Sequence, residues 1–457
     1  MNRAMDVYLD DEVTKVGVLR HAASGNRESS SFEYDRAWLA RAGRFMIDPA
    51  LPLVGGAQFP AKGTSARASV FFGCFADSEP DGWGKVVINR DRAKRRRDAA
   101  DRGEPVDGRP VDGLDYLLAV DDVSRLGALR LRDGAGVFQR VSEPSRRGTP
   151  PLVTLADLLR ASRAVETNTE TAADLRYLLG RGTSLDGMRP KASVFDEDGT
   201  LCIGKFPSVR DERAVTKGEV LALRLAAAAG IEAAQARIVH ANDTPVALVR
   251  RFDRIGERRL MYASARTLMG VTDDDDHTYT EMADTMRTTA LAFAKDAREL
   301  WKRMVLNILI TNVDDHLNNH GFLHVGNGHW RLAPAFDVNP FPDKARLLKT
   351  WIHEDSGPDA SVDEALRAAG RFSLKAKDAK EALGEVEDAV ARWREIAREP
   401  GVGMTATEAE QFSEAFEHPE RKAAQKARAT VSRAAAPPPP VPPAEAEPAP
   451  ASGPGPR

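Results

Sequence analysis

Along the first 35 residues, apolar and polar positions alternate with the period of two that suits half-buried strands, so residues 7–19 predict a hairpin reversing at Asp10-Asp11-Glu12, and residues 32–34 predict another strand. The pattern then changes. Residues 85–101, 115–120 and 152–165 predict helices, the first opened by the turn Pro80-Asp81-Gly82-Trp83-Gly84, with a seam at residues 148–151. Short apolar runs at 192–195, 201–206 and 246–252 predict strands around a helix at 217–229. Residues 299–310 are apolar on nearly every face, as in a buried helix. Residues 377–397 carry Ala379, Leu383, Val386, Val390 and Trp393 on one stripe, predicting a single long helix. From residue 421 the composition turns to Ala, Lys and Arg, and then to Pro and Ala. Four prolines at 437–440 deny a helix its donors, so a disordered tail is expected over 421–457.

Length and charge narrow the class. A chain of 457 residues holds two or three domains, and a formal charge of -3 makes neither nucleic acid nor a membrane the obvious partner of the whole surface. Cys74 and Cys202 lie far apart and form no ligand motif, which suits a reducing compartment. Without a long apolar span or a basic-then-apolar N-terminus, the cytoplasm is the default location. The run Arg90, Arg92, Lys94, Arg95, Arg96, Arg97 can touch phosphates, although a solvated face balanced by acids is the commoner role.

Candidate chemistry is densest at residues 311–321. Asp314 precedes Asn319 by five positions, the separation between base and metal-binding Asn in the kinase pattern H-R-D-x-x-x-x-N. Two apolar runs parted by Gly326-Asn327-Gly328 then predict a hairpin, and Asp337 follows it directly. Asp314, Asn319 and Asp337 can therefore converge on a hard cation such as magnesium, which takes oxygen ligands. His316 and His320 stand four apart, a spacing that binds zinc on a helix and makes a metal-dependent hydrolase the lesser alternative, but the Glu of H-E-x-x-H is missing.

Upstream, residues 180–191 combine three glycines, two hydroxyls and three cations before a strand, a composition that lets backbone amides approach phosphates. The next strand ends in Lys205, and Glu219 on the following helix can neutralise it, as in the strand-Lys and helix-Glu pair of kinases. Snorkelling of Lys205 at a strand end is the plainer alternative. Arg250-Arg251-Phe252-Asp253-Arg254 sits where a chain crossing between lobes can clasp adenine, or where Arg251 and Asp253 form only a surface ion-pair cluster.

Six stretches in this order carry a resemblance: Pro80 to Gly84, Ser184 to Lys191, Ile203-Gly204-Lys205-Phe206-Pro207, Arg251 to Arg254, Asp314-Asp315-His316-Leu317-Asn318-Asn319, and Leu332-Ala333-Pro334-Ala335-Phe336-Asp337. The chain resembles the HipA family of toxin serine/threonine kinases over roughly residues 5–416. The resemblance implies an α+β, two-lobed kinase-like fold: a β-rich N-terminal subdomain (1–150), a nucleotide-binding core (151–255), an α-rich catalytic lobe (256–420) and the disordered tail (421–457). It implies ATP and magnesium, with Asp314 as base, Asn319 and Asp337 as metal ligands, Lys205 on the α- and β-phosphates, and His316 beside the catalytic Asp. Asp186, Gly187, Met188, Arg189, Pro190 and Lys191 would wrap the nucleotide, while Arg250, Arg251, Phe252 and Phe336 would meet it from the hinge side. Ser184 matches the autophosphorylated serine, where added charge would expel the loop. The implied partners are a helix-turn-helix antitoxin of HipB type, with DNA reached only through it, and an aminoacyl-tRNA synthetase as substrate. Arg250 departs from relatives with an acidic residue there. A catalytically inactive pseudokinase is the non-enzyme alternative.

Overall fold

Alternating residues on either side of the turn at 10–14 build an antiparallel sheet, and the turn closes because the Asp11 carboxylate accepts the backbone N–H groups of Val13 and Thr14. This computed structural model describes residues 2–25, 27–63, 68–80, 82–106, 108–139, 154–179 and 187–434. Asn2–Leu9 pairs with Lys15–Ser24, which pairs with Arg27–Tyr34; on its other edge Asn2–Leu9 takes Leu129–Arg132 and then Phe138–Gln139. Val7, Val16, Leu19 and Phe32 face a core shared with Trp38, Phe45 and Phe75. The basic run lies on the helix Gly82–Asp101. Arg90 bonds Glu170, Arg95 pairs with Asp91, and Arg92 and Arg96 both bond the Arg109 carbonyl, which favours the solvated-face reading of these cations. The seam at 148–151 lies outside the described residues.

A second antiparallel sheet has the order Lys191–Phe195, Leu201–Lys205, Thr244–Arg250, Ala236–Ala241. Side chains alternate across it. Ala192, Val194, Cys202 and Leu248 pack against the helices Leu155–Glu166 and Ala172–Leu178, whereas Ile203, Ala247 and Val249 face the helix Val215–Ala228. Ala236–Ala241 was not anticipated, because its β-branched residues, Ile238 and Val239, are adjacent and show no alternation. The segment before it meets the larger lobe: Ala233 and Ala335 form a parallel bridge, with the Ala335 N–H on the Glu232 carbonyl and the Ala234 N–H on that of Ala335.

Helices dominate the rest. Phe293–Leu309 is the centre of the lobe, with Trp301, Val305 and Ile308 fully buried. The expected hairpin is Gly321–Gly326 with His329–Leu332, joined on its far side by Tyr262–Ser264. Two expectations are corrected. The stripe at 377–397 belongs to two helices, Ala376–Ala391 and Trp393–Arg398, because the backbone leaves helical geometry at Arg392 and Trp393 instead stacks on Phe416, ring centroids 4.5 Å apart. Nor does the tail begin at 421. Pro419–Ala434 is helical, since Ala, Lys and Arg are good helix formers, and Glu387 anchors it through Arg421, Gln425 and Arg428. Residues 435–457 lie outside the described residues. Among the described residues no helix is long and apolar enough to cross a membrane.

Candidate functional site

Lys205 closes its strand on the face turned toward the helix Val215–Ala228, and that placement decides what its ammonium can reach. Its Nζ donates to Glu219 Oε1 and to Asp337 Oδ1, both at 2.6 Å. Glu219 of the small lobe and Asp337 of the large lobe thus share one cation, and Lys205 reaches Asp337 across 132 positions of sequence. Burial alone would raise the Asp337 carboxyl, but Lys205, backed by Lys191, more than offsets this and holds it below the usual carboxylate range. Burial likewise opposes charge on Lys205, and the two carboxylates overcome it, raising its pKa. Glu219 is the partner that burial pushes up, with Lys205 opposing.

The turn after the central helix supplies the remaining groups. Residues 317–319 form one 3-10 turn, which swings Asn319 back so that its Nδ2 donates to the Asp314 carbonyl at 2.8 Å. Its other amide atom, Oδ1, is buried and unpartnered. Asp337 has left-handed backbone (φ 53°) and receives Lys205 and Asn339 on Oδ1, so that among the described residues no hydrogen bond reaches its Oδ2. Asn319 and Asp337 line one small cavity. Two oxygens left open beside a fixed cation suit a hard divalent ion better than a softer metal. His316 lies close enough to Asp337 to help hold its charge, and its Nδ1 is also unpartnered. His320, by contrast, lies edge-on against Tyr279, and its burial, helped by Arg303 and His316, holds its pKa down at about 3. The two histidines flank a 3-10 turn rather than sharing a helix face, and among the described residues they belong to no group of three clustered His, Cys, Asp or Glu side chains, which disfavours the zinc reading.

The glycine-rich stretch is described from residue 187 onward; Ser184 and Asp186 lie outside the described residues. Gly187 has φ 111°, and a Cβ there would stand 2.7 Å from the Lys191 Nζ, so the loop needs glycine to lie over that buried lysine. The Gly187 carbonyl accepts the Trp83 N–H, so the first turn of the helix Gly82–Asp101 holds the loop at that residue. Arg189 pairs with Asp211, Met188 is exposed, and Pro190 precedes the strand of Lys191. Phe252 and Phe336 face each other at 5.3 Å, one from the crossing segment and one beside Asp337.

The two arginines before Phe252 do not join that wall. Arg250 is exposed and lines a separate cavity of about 510 Å³ with Asp196, Asp198, Arg224 and Arg237, to which none of the catalytic candidates contributes. Arg251 is buried: its guanidinium bonds Asp253 and the carbonyls of Ser124 and Arg125. Asp253 also accepts Arg254 and the Gly127 N–H, and these cations outweigh its burial to keep its carboxyl below the usual range. The surface cluster is therefore corrected to a buried joint between the crossing segment and the N-terminal subdomain, and the Arg251 side chain is not free to meet a base. Asn339 was missed in the sequence, although its place two residues after Asp337 was the available signal.

Comparison with known proteins gives the following. Residues 5–104 match the HipA N-terminal domain and residues 183–393 the HipA-like C-terminal domain. A protein of Sinorhizobium fredii (strain NBRC 101917 / NGR234) named "Putative kinase Y4mE" is 26% identical over 213 residues, which cover 44% of this chain and 43% of that protein. The match thus spans about two fifths of the curated relative's length. Among solved structures, HipA of Shewanella oneidensis MR-1, in complex with HipB and its operator DNA, superposes with a TM-score of 0.62 at 14% identity, covering 93% of this chain and 99% of that one. The Helicobacter pylori proinflammatory kinase CtkA covers 54% of this chain and 95% of its own at 15% identity, with a TM-score of 0.41.

Proposed function

From the premise that this chain belongs to the HipA family, we propose that it is a protein serine/threonine kinase that transfers the γ-phosphoryl group of ATP to a protein hydroxyl. One observation carries the reading: Lys205 joins Glu219 and Asp337 across the two lobes, while Asn319, tied to Asp314, keeps its side-chain oxygen open. In such transfers the protein supplies position and electrostatics more than covalent chemistry. Lys205 and Lys191 would offset phosphate charge, and the loop at 186–191 would cover the nucleotide. Asp314 would take the proton of the acceptor hydroxyl, with His316 beside it, and Phe252 and Phe336 would flank the base. Magnesium held by the open oxygens of Asn319 and Asp337 would neutralise the developing charge on the phosphates.

Three finer parts follow from the family rather than from geometry. Ser184 is the proposed site of autophosphorylation, and a HipB-like helix-turn-helix antitoxin the proposed partner, as the Shewanella HipA has HipB. An aminoacyl-tRNA synthetase is the proposed acceptor. The test is transfer of labelled phosphate from ATP with magnesium by the purified full chain. Asp314→Asn should lower the rate by about 10²–10⁴-fold, as removal of a general base does. No labelling by either protein would favour the pseudokinase, and equal labelling by both would remove Asp314 from the role of base.

A further inference from the structure

Behind Asp314 runs a chain of buried hydrogen bonds, closed into a ring only by the backbone, in which no residue is one of the catalytic candidates. Asn312 Nδ2 donates to Asn307 Oδ1 at 3.0 Å, Asn307 Nδ2 to Tyr279 Oη at 2.8 Å, and Tyr279 Oη to Asp315 Oδ2 at 2.6 Å. The ring leaves the turn at Asn312, passes through two helices and returns at Asp315, so it spans three peptide units, two before Asp314 and one after it. All four residues are at most 5% exposed. Asp315 is also held from the segment beyond Asp337: its Oδ1 accepts the Lys349 and Thr350 N–H groups, and its carbonyl accepts the Thr350 hydroxyl at 2.6 Å.

The entry to the turn is fixed just as firmly. Thr311 has φ 54°, a left-handed conformation that is a true outlier for a β-branched residue and that costs energy unless neighbours enforce it. Here they do. The Asn312 N–H returns to the Asn307 carbonyl at 2.9 Å, in the manner of a helix end where glycine is usual. The Thr311 hydroxyl bonds the Ala415 carbonyl, and the Thr311 carbonyl accepts the Phe341 N–H. A small cavity of about 20 Å³ is lined both by the ring residues Asn307, Asn312 and Asp315 and by Asn319 and Asp337, so the ring stands directly behind the open oxygens.

Resting on the kinase reading above, we infer that Asp315 is a positioning residue which, ringed by Tyr279, Asn307 and Asn312 and pinned by Thr350, fixes the backbone that carries the Asp314 carboxylate. It touches no reacting atom in this role. Misplacing a catalytic group by about 1 Å can cost on the order of 100-fold in rate, whereas the nucleotide contacts of Lys205 and Lys191 lie outside the ring.

The test uses the full chain with Tyr279→Phe, Thr350→Val and Thr350→Ser, reading kcat, KM for ATP, affinity for a fluorescent ATP analogue, and thermal midpoint. The expected result is a kcat at least tenfold lower in Tyr279→Phe and Thr350→Val, an ATP-analogue affinity within about twofold of wild type, and recovery of kcat in Thr350→Ser, which keeps the hydroxyl. Should Tyr279→Phe fail to fold, the Thr350 pair decides alone. Active wild type with unchanged kcat in Thr350→Val overturns the inference and leaves the kinase reading standing. A parallel fall of kcat, nucleotide affinity and thermal midpoint also overturns it, since that marks a merely structural role. Wild type that transfers no phosphate sinks the kinase reading, and the positioning role with it.

Discussion

Two buried ion clusters flank the Thr244–Arg250 strand, and they differ in what they leave unmet. At the joint, Asp253 takes donors on both oxygens, from Arg251, Arg254 and Gly127, and is closed. At the lobe interface, Asp337 takes both of its donors on Oδ1, and Asn319 spends its amide nitrogen on Asp314 while its oxygen stays open. Both carboxylates are held below their ordinary range by cations despite burial. Charge and burial therefore do not separate a structural joint from the proposed reactive centre. Leftover oxygen atoms do: the Asn319 Oδ1 is a buried acceptor without a donor, which is costly unless something else binds it, and the part-exposed Asp337 keeps its Oδ2 beside it.

The sharpest way to break this distinction is to delete each carboxylate. Asp337→Ala should lower phosphoryl transfer by about 10²–10³-fold, the scale of losing a preorganised electrostatic group, as measured by initial rates at saturating ATP. Asp253→Asn should instead lower stability by about 3–5 kcal/mol, because Arg251 loses its counter-charge in a dry site, as measured by urea unfolding. Its kcat per folded molecule should stay within about threefold of wild type. A rate loss rivalling that of Asp337→Ala would erase the difference between the clusters.

A gentler probe is pH. The Asp253 carboxyl is lowered in the fold from an ordinary 3.8, so between the two values the unfolded chain binds the proton and the folded chain does not. Its contribution is then complete above about pH 4 and shrinks as pH falls further. The stability gap between wild type and Asp253→Asn should be flat near neutrality and narrow below pH 4; a gap that widens there would contradict the assignment. The smallest effect belongs to Arg250, whose side chain lies in the separate cavity. Arg250→Ala should change ATP affinity by no more than about twofold, the usual range for an exposed substitution, and a larger loss by titration would return Arg250 to the nucleotide.

Residue order alone determined the parts whose signal is local. The hairpin after the turn, the strand ending in Lys205, the helix bearing Glu219 and the five-residue gap from Asp314 to Asn319 are written in periodicity and spacing, and the fold keeps each one. Only the tertiary structure decided which polar residues meet across long stretches of chain. Tyr279 reaches Asp315 over 36 positions, and Arg251 reaches the carbonyl of Ser124 over 127. A tyrosine on a helix or an arginine after a strand looks the same in sequence whether it faces water or a buried carboxylate. Side-chain type sets what bonds a residue can make, whereas the packing of distant elements sets which partner is there and which oxygen is left without one.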